Sequence, residues 1–290
     1  MSVLQGSGST LESIIGSRPW TEWLTQWKSF KLSSSSLSGD VFSEAAPVQF
    51  YDKFWGKSMA DEEQKWRNAQ SPSSTPVEGY EPMEVDVSEE DDDLIEGCCF
   101  LELDIEDINF SRIWIRAEYI RIYNSLENQR GFNSAPAAVI TGQPGIGESW
   151  VLSPLMLRVV LTWCIICAGK SLWIYYVLCR RLAERKPVIW YYRKNRYLFV
   201  EEGVYKVPDQ FHAFRVFVWT LVDSDESKDG VPEYLVMHNT RHFVIYSTSP
   251  NAERWSRLHK TVSNETYIMN PWKIKELLRV WVVFFDRDIC

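Results

Sequence analysis

The sequence lacks an N-terminal stretch that combines a basic start, a long apolar run and a small-residue cleavage site, so secretion is unsupported. Its six cysteines show no metal-ligand spacing, and the single C-x-x-C, Cys164 and Cys167, lies within an apolar stretch. The four histidines show no ligand spacing either, which is typical of structural histidines. These absences argue against a disulfide-rich secreted protein and a zinc protein. We expect a reduced, intracellular setting, in the cytoplasm or nucleus.

Basic residues are scarce in the first 110 positions, which carry 7 basic and 22 acidic side chains, net −15. Residues 111–290 carry 24 basic and 17 acidic side chains, net +7. The overall charge of −8 is therefore the sum of an acidic N-terminal part and a basic C-terminal part. Apolar residues make up 45% of the chain, which suffices for the core of one or two domains. We therefore predict an acidic leader over residues 1–100 and a folded domain over residues 101–290.

The leader is predicted to be largely disordered, because it is rich in serine and proline and carries an acidic block at residues 89–93. Two aromatic clusters within it are predicted to form short helices. They are Trp20, Trp23, Trp27 and Phe30, and Phe50, Tyr51, Phe54 and Trp55. Either these clusters dock a protein partner as amphipathic helices, or they lie against the main domain. The sequence leaves both interpretations open.

Residues 137–147 (AAVITGQPGIG) predict a buried strand and a glycine-rich turn, and Gly169-Lys170-Ser171 follows after an apolar insert. Joined at a single glycine, the two parts read G-x-x-x-x-G-K-S, a phosphate-binding loop between a strand and a helix. In such a loop, backbone amides bind phosphate oxygens, the lysine neutralises the phosphates and the serine ligates Mg²⁺. The predicted phosphate-binding residues are Gly142, Gln143, Pro144, Gly145, Ile146, Gly147, Gly169, Lys170 and Ser171.

Neither half of this loop is complete as written. Glu148 stands in the lysine position after Gly147, and counting back from Lys170 places Cys164 at the first-glycine position. A phosphate cradle consists of consecutive amides, so a long insertion should separate Lys170 and Ser171 from the glycines and impair phosphate binding.

The insert at residues 148–168 is interpreted as a retained intron. The codons for residues 147–149 can contain a splice-donor string and those for residues 168–169 an acceptor string, and cutting there restores one glycine before Lys170. Such an insert should protrude or pack poorly, while the flanking strand and helix stay neighbours. The alternative is a membrane segment at residues 151–168, but Arg158 lies in its middle and its length is at the lower edge of spanning. Membrane association is therefore not expected.

Residues 214–225 (FRVFVWTLVDSD) predict an apolar strand that ends at Asp223. A carboxylate that leaves the sheet at its carboxyl edge, beside the loop serine, is what a Mg²⁺ site requires. We therefore predict Ser171 and Asp223 as metal ligands. Asp225 and Glu226 follow and could polarise an attacking water as catalytic residues, although a solvated turn is the simpler account of both.

Residues 241–249 (RHFVIYSTS) predict the next strand, which ends in Ser247 and Thr248. Their hydroxyls could sense the terminal phosphate, and ordinary capping explains them equally well. Ser249-Pro250 and Asn270-Pro271 each follow an apolar strand and are typical helix starts. This alternation argues for βα units.

Four motifs together resemble the NTPase module shared by Crinkler and retrotransposon-hot-spot proteins: TGQPGIG with GKS, VDSD, YSTSPN-x₃-W and YIMNPWKIKEL. The resemblance covers about residues 111–285. It implies an ATPase of the AAA/STAND type, with Lys170 and the loop glycines on phosphates and Asp223 on Mg²⁺. It also implies lid helices and arginine contacts beyond Cys290, so the module is expected to be truncated at its C-terminus. Nucleic acid as a partner is implied only by this resemblance, and we find no set of nuclease carboxylates.

We therefore predict an α/β fold of the P-loop NTPase type, with a largely parallel sheet of about five strands flanked by helices. The predicted function is binding and hydrolysis of ATP with Mg²⁺, impaired in this chain by the interrupted loop. One alternative is a non-catalytic interaction scaffold that keeps the fold of an NTPase. Another is a protein with a single membrane segment at residues 151–168.

Overall fold

The structure is a computed structural model that describes residues 10–15, 27, 29–32, 44–59, 100–108, 110–128, 137–142, 169–209, 211, 214–227, 229–237, 240–250, 253 and 255–270. The strands are β1 Lys31–Leu32, β2 Phe100–Glu102, β3 Arg112–Trp114, β4 Ala137–Gly142, β5 Val188–Tyr192, β6 Asn195–Val200, β7 Gly203–Lys206, β8 Val218–Asp223, β9 His242–Thr248 and β10 Asn264–Met269. The helices are α1 Thr10–Ile15, α2 Ala45–Phe54, α3 Ala117–Asn128, α4 Gly169–Ala183, α5 Glu233–Val236 and α6 Ser256–Thr261.

The fold is α/β, with eight of the described strands in one mixed sheet in the order β1-β7-β6-β5-β8-β9-β4-β10. Strands β5, β8, β9, β4 and β10 are parallel neighbours. Strands β6, β7 and β1 extend the β5 edge in antiparallel pairs. The prediction of about five strands is therefore wrong in number. The hairpin of β6 and β7 joins the same sheet through β5, and the leader contributes β1.

Strands β4, β5, β8 and β9 are buried on both faces, as their nearly continuous apolar sequences require. Because side chains alternate along a strand, each strand contributes to two separate clusters. The face that packs against α3 and α4, called the α4 face, includes Ala138, Ile140, Trp219, Leu221, Phe243 and Ile245. The face that packs against α5 and α6, called the α6 face, includes Ala137, Val139, Val222, Val244 and Tyr246.

Helix α4 connects β4 to β5 and packs on the α4 face of β4. Its apolar residues recur at helical spacing, and Trp173, Tyr176 and Leu178 are fully buried. Arg180 and Arg181 lie in its last turn, where a positive charge suits the helix dipole. The strand and the helix that flank the insert are thus neighbours, as expected. The insert itself, with the membrane segment considered at residues 151–168, lies outside the described residues.

Parts of the acidic leader lie in the core of this domain. Trp27 is fully buried, and its ring centroid lies 5.0 Å from that of Phe211 and 6.2 Å from that of Tyr205 on β7. Helix α2 packs against α4, and its buried Phe50 contacts Tyr175 and Trp190.

These contacts correct the docking interpretation of the aromatic clusters. Trp27, Phe50 and Phe54 are covered by the chain's own residues and do not present a surface to a partner. For these side chains the alternative, that they lie against the main domain, is confirmed. Trp20 and Trp23 lie outside the described residues.

Trp27→Ala should lower the free energy of unfolding by about 3–5 kcal/mol, because truncating a buried tryptophan leaves a cavity. Urea unfolding followed by far-UV circular dichroism measures this loss. Val216→Ala is a suitable control, since Val216 is 45% exposed and its truncation should change stability by less than about 0.5 kcal/mol. A loss below about 1 kcal/mol for Trp27→Ala would mean that this part of the leader does not stabilise the domain.

Candidate phosphate-binding site

Polar residues meet at the carboxyl edge of the parallel strands. Strand β4 ends at Gly142, β8 ends at Asp223 and β9 ends at Thr248. Asp223 pairs with Ser247 across β8 and β9, and Thr141 pairs with Thr248 across β4 and β9. Parallel strands bring their carboxyl ends to one edge, which is where ligands bind in open α/β sheets.

The start of α4 lies at this same edge, next to the end of β4. A Cβ atom placed on Gly142 would lie 3.9 Å from Cδ of Lys170. Helix α4 begins at Gly169, so its first amides and the positive end of its dipole also lie here. The expectation that the insert separates Lys170 from the glycines is thus wrong for Gly142. The remaining predicted loop residues, Gln143, Pro144, Gly145, Ile146 and Gly147, lie outside the described residues.

Ser171 and Asp223, the two predicted metal ligands, are in direct contact. The Ser171 hydroxyl donates a hydrogen bond to the Asp223 carboxylate. The backbone N–H of Asp225 donates a second hydrogen bond to Oδ1 of Asp223 at 3.1 Å. Together these bonds fix the carboxylate at the edge of the sheet, beside the start of α4.

Asp223 is 8% exposed, and burial raises its pKa to about 6. The hydrogen bonds from Ser171 and from the Asp225 amide lower this pKa, while the charges of Asp225 and Glu226 raise it. A buried carboxylate without a positive partner is unfavourable. A bound cation would relieve this cost, which is the electrostatic environment expected for a metal ligand.

Ser171 and Asp223 fit Mg²⁺ because they supply two hard oxygen atoms side by side. Mg²⁺ keeps several waters and takes few protein ligands when a phosphate supplies the rest. Within the described part of the chain, no group of three or more His, Cys, Asp or Glu residues could hold a metal ion. These residues therefore do not form a site that holds a metal through protein side chains alone, but they fit a metal that is also bound by phosphate.

Three buried hydroxyls at this edge have no hydrogen-bond partner, those of Thr141, Ser247 and Thr248. Ser247 lies on the α4 face, since it follows Phe243 and Ile245 in the strand alternation. It is 1% exposed and directly neighbours Asp223 across the sheet. Thr248 lies on the other face. Of the two predicted phosphate-sensing residues, the structure therefore brings Ser247 beside Asp223 and directs Thr248 away.

Asp225 and Glu226 lie in the turn after β8 and have different surroundings. The Glu226 carboxylate accepts a hydrogen bond from the backbone N–H of Arg193 at 2.8 Å. Asp225 is exposed. Both border a cleft of about 660 Å³ whose walls also include Tyr191 and Arg193. Glu226 thus ties the turn to a neighbouring hairpin, and Asp225 is the carboxylate of the two that remains accessible.

Helix α3 contributes a contact that the sequence did not reveal. The Tyr119 hydroxyl donates a 2.6 Å hydrogen bond to the carbonyl oxygen of Gly169, at the start of α4. The Trp173 ring N–H donates to the carbonyl oxygen of Tyr119 at 3.3 Å. The sequence carried no signal for this contact, which depends on how α3 packs on α4.

Glu118 and Arg116 hold the end of β10 near the same site. Glu118 accepts a 2.9 Å hydrogen bond from the backbone N–H of Asn270, and Arg116 donates to the carbonyl oxygen of Asn270 at 3.3 Å. Burial raises the pKa of Glu118, but the hydrogen bonds from Arg121 and Asn270 outweigh it, so the pKa lies below its usual value. These contacts fix the carboxyl end of β10 beside Gly142.

Comparisons with protein families, with characterised proteins and with solved structures find no match to this chain. Among the described residues, no helix has the length and apolar character to cross a membrane.

Proposed function

We propose that this chain binds ATP together with Mg²⁺ at the carboxyl edge of its sheet, as a P-loop NTPase module of the Crinkler and retrotransposon-hot-spot type. The observation that carries the proposal is the hydrogen bond from Ser171 to Asp223, with Lys170 beside Gly142. These residues come from three separate segments of the chain. Their types and their order along the chain are those that phosphoryl chemistry uses.

Each residue at the edge has a role that follows from its chemistry. The first amides of α4 would donate to phosphate oxygens, and Lys170 would neutralise their charge. Mg²⁺ held by Ser171 and Asp223 would neutralise the β- and γ-phosphate oxygens. The Ser247 hydroxyl, which has no partner and lies beside Asp223, would donate to the terminal phosphate. Asp225 would accept a proton from water in the adjoining cleft.

A non-catalytic scaffold is the second candidate, because Glu148 stands in the lysine position after Gly147. A carboxylate near phosphate repels it, and the interrupted loop lacks a continuous run of amides. The scaffold would keep the contacts at the sheet edge without turning over nucleotide. It predicts that the full chain, with its insert in place, does not hydrolyse ATP.

Ser171→Ala should remove the Mg²⁺-dependent part of ATP binding. Isothermal titration of ATP in Mg²⁺ and in EDTA measures this part, in the full chain and in a deletion variant that lacks residues 148–168 and one flanking glycine. We expect Mg²⁺ to strengthen binding about tenfold with Ser171 and to have little effect without it, as for the loss of one ligand contact. Ser13→Ala is the matched control, since Ser13 is a helical serine bonded only to its own helix. Equal ATP affinity in Mg²⁺ and EDTA would contradict the proposal.

A further inference from the structure

The hairpin between β5 and β6 carries two long cationic residues in a strained backbone. Arg193 and Lys194 form its two-residue turn, with φ angles of 49° and 65°. A two-residue hairpin turn with positive φ at both positions favours asparagine and glycine, because other side chains crowd the backbone there. Strained backbone positions of this kind cluster at functional sites, so these two residues are candidates for a functional role.

The hairpin lies beside the candidate phosphate site. Tyr191 pairs with Val222, so the next residue on each strand, Tyr192 and Asp223, are neighbours on the α4 face. The Arg193 guanidinium lies over the Tyr192 ring, with its carbon 5.1 Å from the ring centroid. The guanidinium is thus one strand away from the Asp223 carboxylate and on the same face of the sheet.

The turn after β8 holds this hairpin in place. The Glu226 carboxylate accepts the Arg193 N–H at 2.8 Å, so the hairpin and the segment that follows Asp223 are joined by a hydrogen bond to a charged group. Arg193, Asp225 and Glu226 border the same cleft of about 660 Å³. The cleft adjoins the turn that follows Asp223.

The present partner of Arg193 is exchangeable. Its Nη1 lies 3.4 Å from Oδ2 of Asp107, and the two side chains are 41% and 29% exposed. A long, solvent-exposed ion pair of this kind contributes little to stability. A phosphate group offers the guanidinium shorter and stronger hydrogen bonds, often two in parallel.

We propose that Arg193 binds the terminal phosphate of the nucleotide, exchanging Asp107 for it. The inference rests on the proposed function and adds the residue that distinguishes a triphosphate from a diphosphate. In other phosphoryl-transfer enzymes, an arginine from another segment or from another subunit supplies this positive charge. Here it would come from the chain's own β5–β6 hairpin. The strained turn fixes the position of the Arg193 backbone. From there the flexible side chain would extend towards the terminal phosphate.

The test compares ATP and ADP affinities of Arg193→Asn, in the full chain and in the deletion variant. Asparagine removes the guanidinium and accepts positive φ more readily than arginine, so the variant should fold at least as stably as the parent. ATP affinity should fall about tenfold to a hundredfold, as for one lost charge-assisted hydrogen bond, while ADP affinity changes less than about twofold. Thermal unfolding confirms that the fold is unchanged.

Arg241→Asn is the matched control, because Arg241 also has a positive φ, 54°, and precedes β9 at the opposite edge of the sheet. It should leave both affinities unchanged. Asp107→Asn, which removes the competing carboxylate, should maintain or raise ATP affinity.

An equal loss of ATP and ADP affinity in Arg193→Asn, or no loss of either, overturns the inference and leaves the proposed function intact. Absence of ATP binding in both unsubstituted backgrounds overturns the proposed function, and the inference falls with it.

Discussion

Removing residues 148–168 and one flanking glycine should strengthen Mg²⁺-dependent ATP binding by roughly a hundredfold or more. The deletion restores consecutive amides between Gly142 and Lys170 and removes Glu148 from the lysine position. A correctly placed lysine provides a charge-assisted contact of ~1.5–3 kcal/mol, and loss of the carboxylate ends its repulsion of phosphate. Each 1.4 kcal/mol corresponds to about tenfold in affinity, so the two effects together reach about two orders of magnitude.

Lys170→Ala, made in the full chain and in the deletion variant, separates the contribution of the lysine contact from that of the Glu148 repulsion. In the deletion variant it should abolish ATP binding, and in the full chain it should cost less, because Lys170 lies beside Gly142 there but the run of loop amides is interrupted. Lys57→Ala is the control, since Lys57 is exposed and lies away from the carboxyl edge. Nucleotide titration measures all of these variants. If the full chain binds ATP as tightly as the deletion variant and Lys170→Ala removes that binding, the insert does not interrupt the site.

Asp223→Asn should stabilise the metal-free protein by about 3 kcal/mol at pH 8, and the gain should vanish as the pH falls towards 4. Burial raises the pKa of Asp223 from 3.8 to about 6, a shift of about two units at 1.36 kcal/mol each. An acid with a raised pKa holds its proton more tightly in the folded state. The folded state therefore loses stability as the pH rises from about 4 through 6. Asparagine has no charge to bury and can still accept the Ser171 hydrogen bond.

Urea unfolding in EDTA across this pH range measures the effect, and the same substitution should remove the Mg²⁺-dependent part of ATP binding. Asp229→Asn is the control, because Asp229 is an exposed carboxylate in the same loop and its removal should change stability little. A gain that is independent of pH would show that the charge of Asp223 is not the cause.

The sequence contained enough information to predict the residues at the sheet edge. The apolar run before Gly142 required a buried strand, and the apolar run before Asp223 required another. Parallel pairing brings the carboxyl ends of these strands together. The helical spacing of apolar residues after Gly169 predicts α4, which packs against the strands. These features are local patterns, so they can be read from a single chain.

Other features depend on contacts distant in sequence and could not be read. Strand β1 exists because Lys31 and Leu32 pair with β7, and nothing in two leader residues signals that pairing. Arg193 and Lys194 lack the asparagine and glycine of a typical two-residue turn, so the turn was not recognised. Helix α6 begins at Ser256, later than the predicted start at Ser249-Pro250, because a cap and a proline allow a helix without fixing where it starts.

A shared metal and phosphate site is tested most directly by electron paramagnetic resonance of Mn²⁺, which replaces Mg²⁺ at oxygen-rich sites and gives a signal that falls when the ion is bound. A metal shared by ATP, Ser171 and Asp223 predicts that the signal of the deletion variant with Mn²⁺ and ATP falls further than that of Mn²⁺ and ATP alone. It also predicts that Ser171→Ala and Asp223→Asn each remove this additional loss. A signal that the protein does not change, or a loss that persists in both substituted proteins, would contradict a shared metal and phosphate site at the carboxyl edge of the sheet.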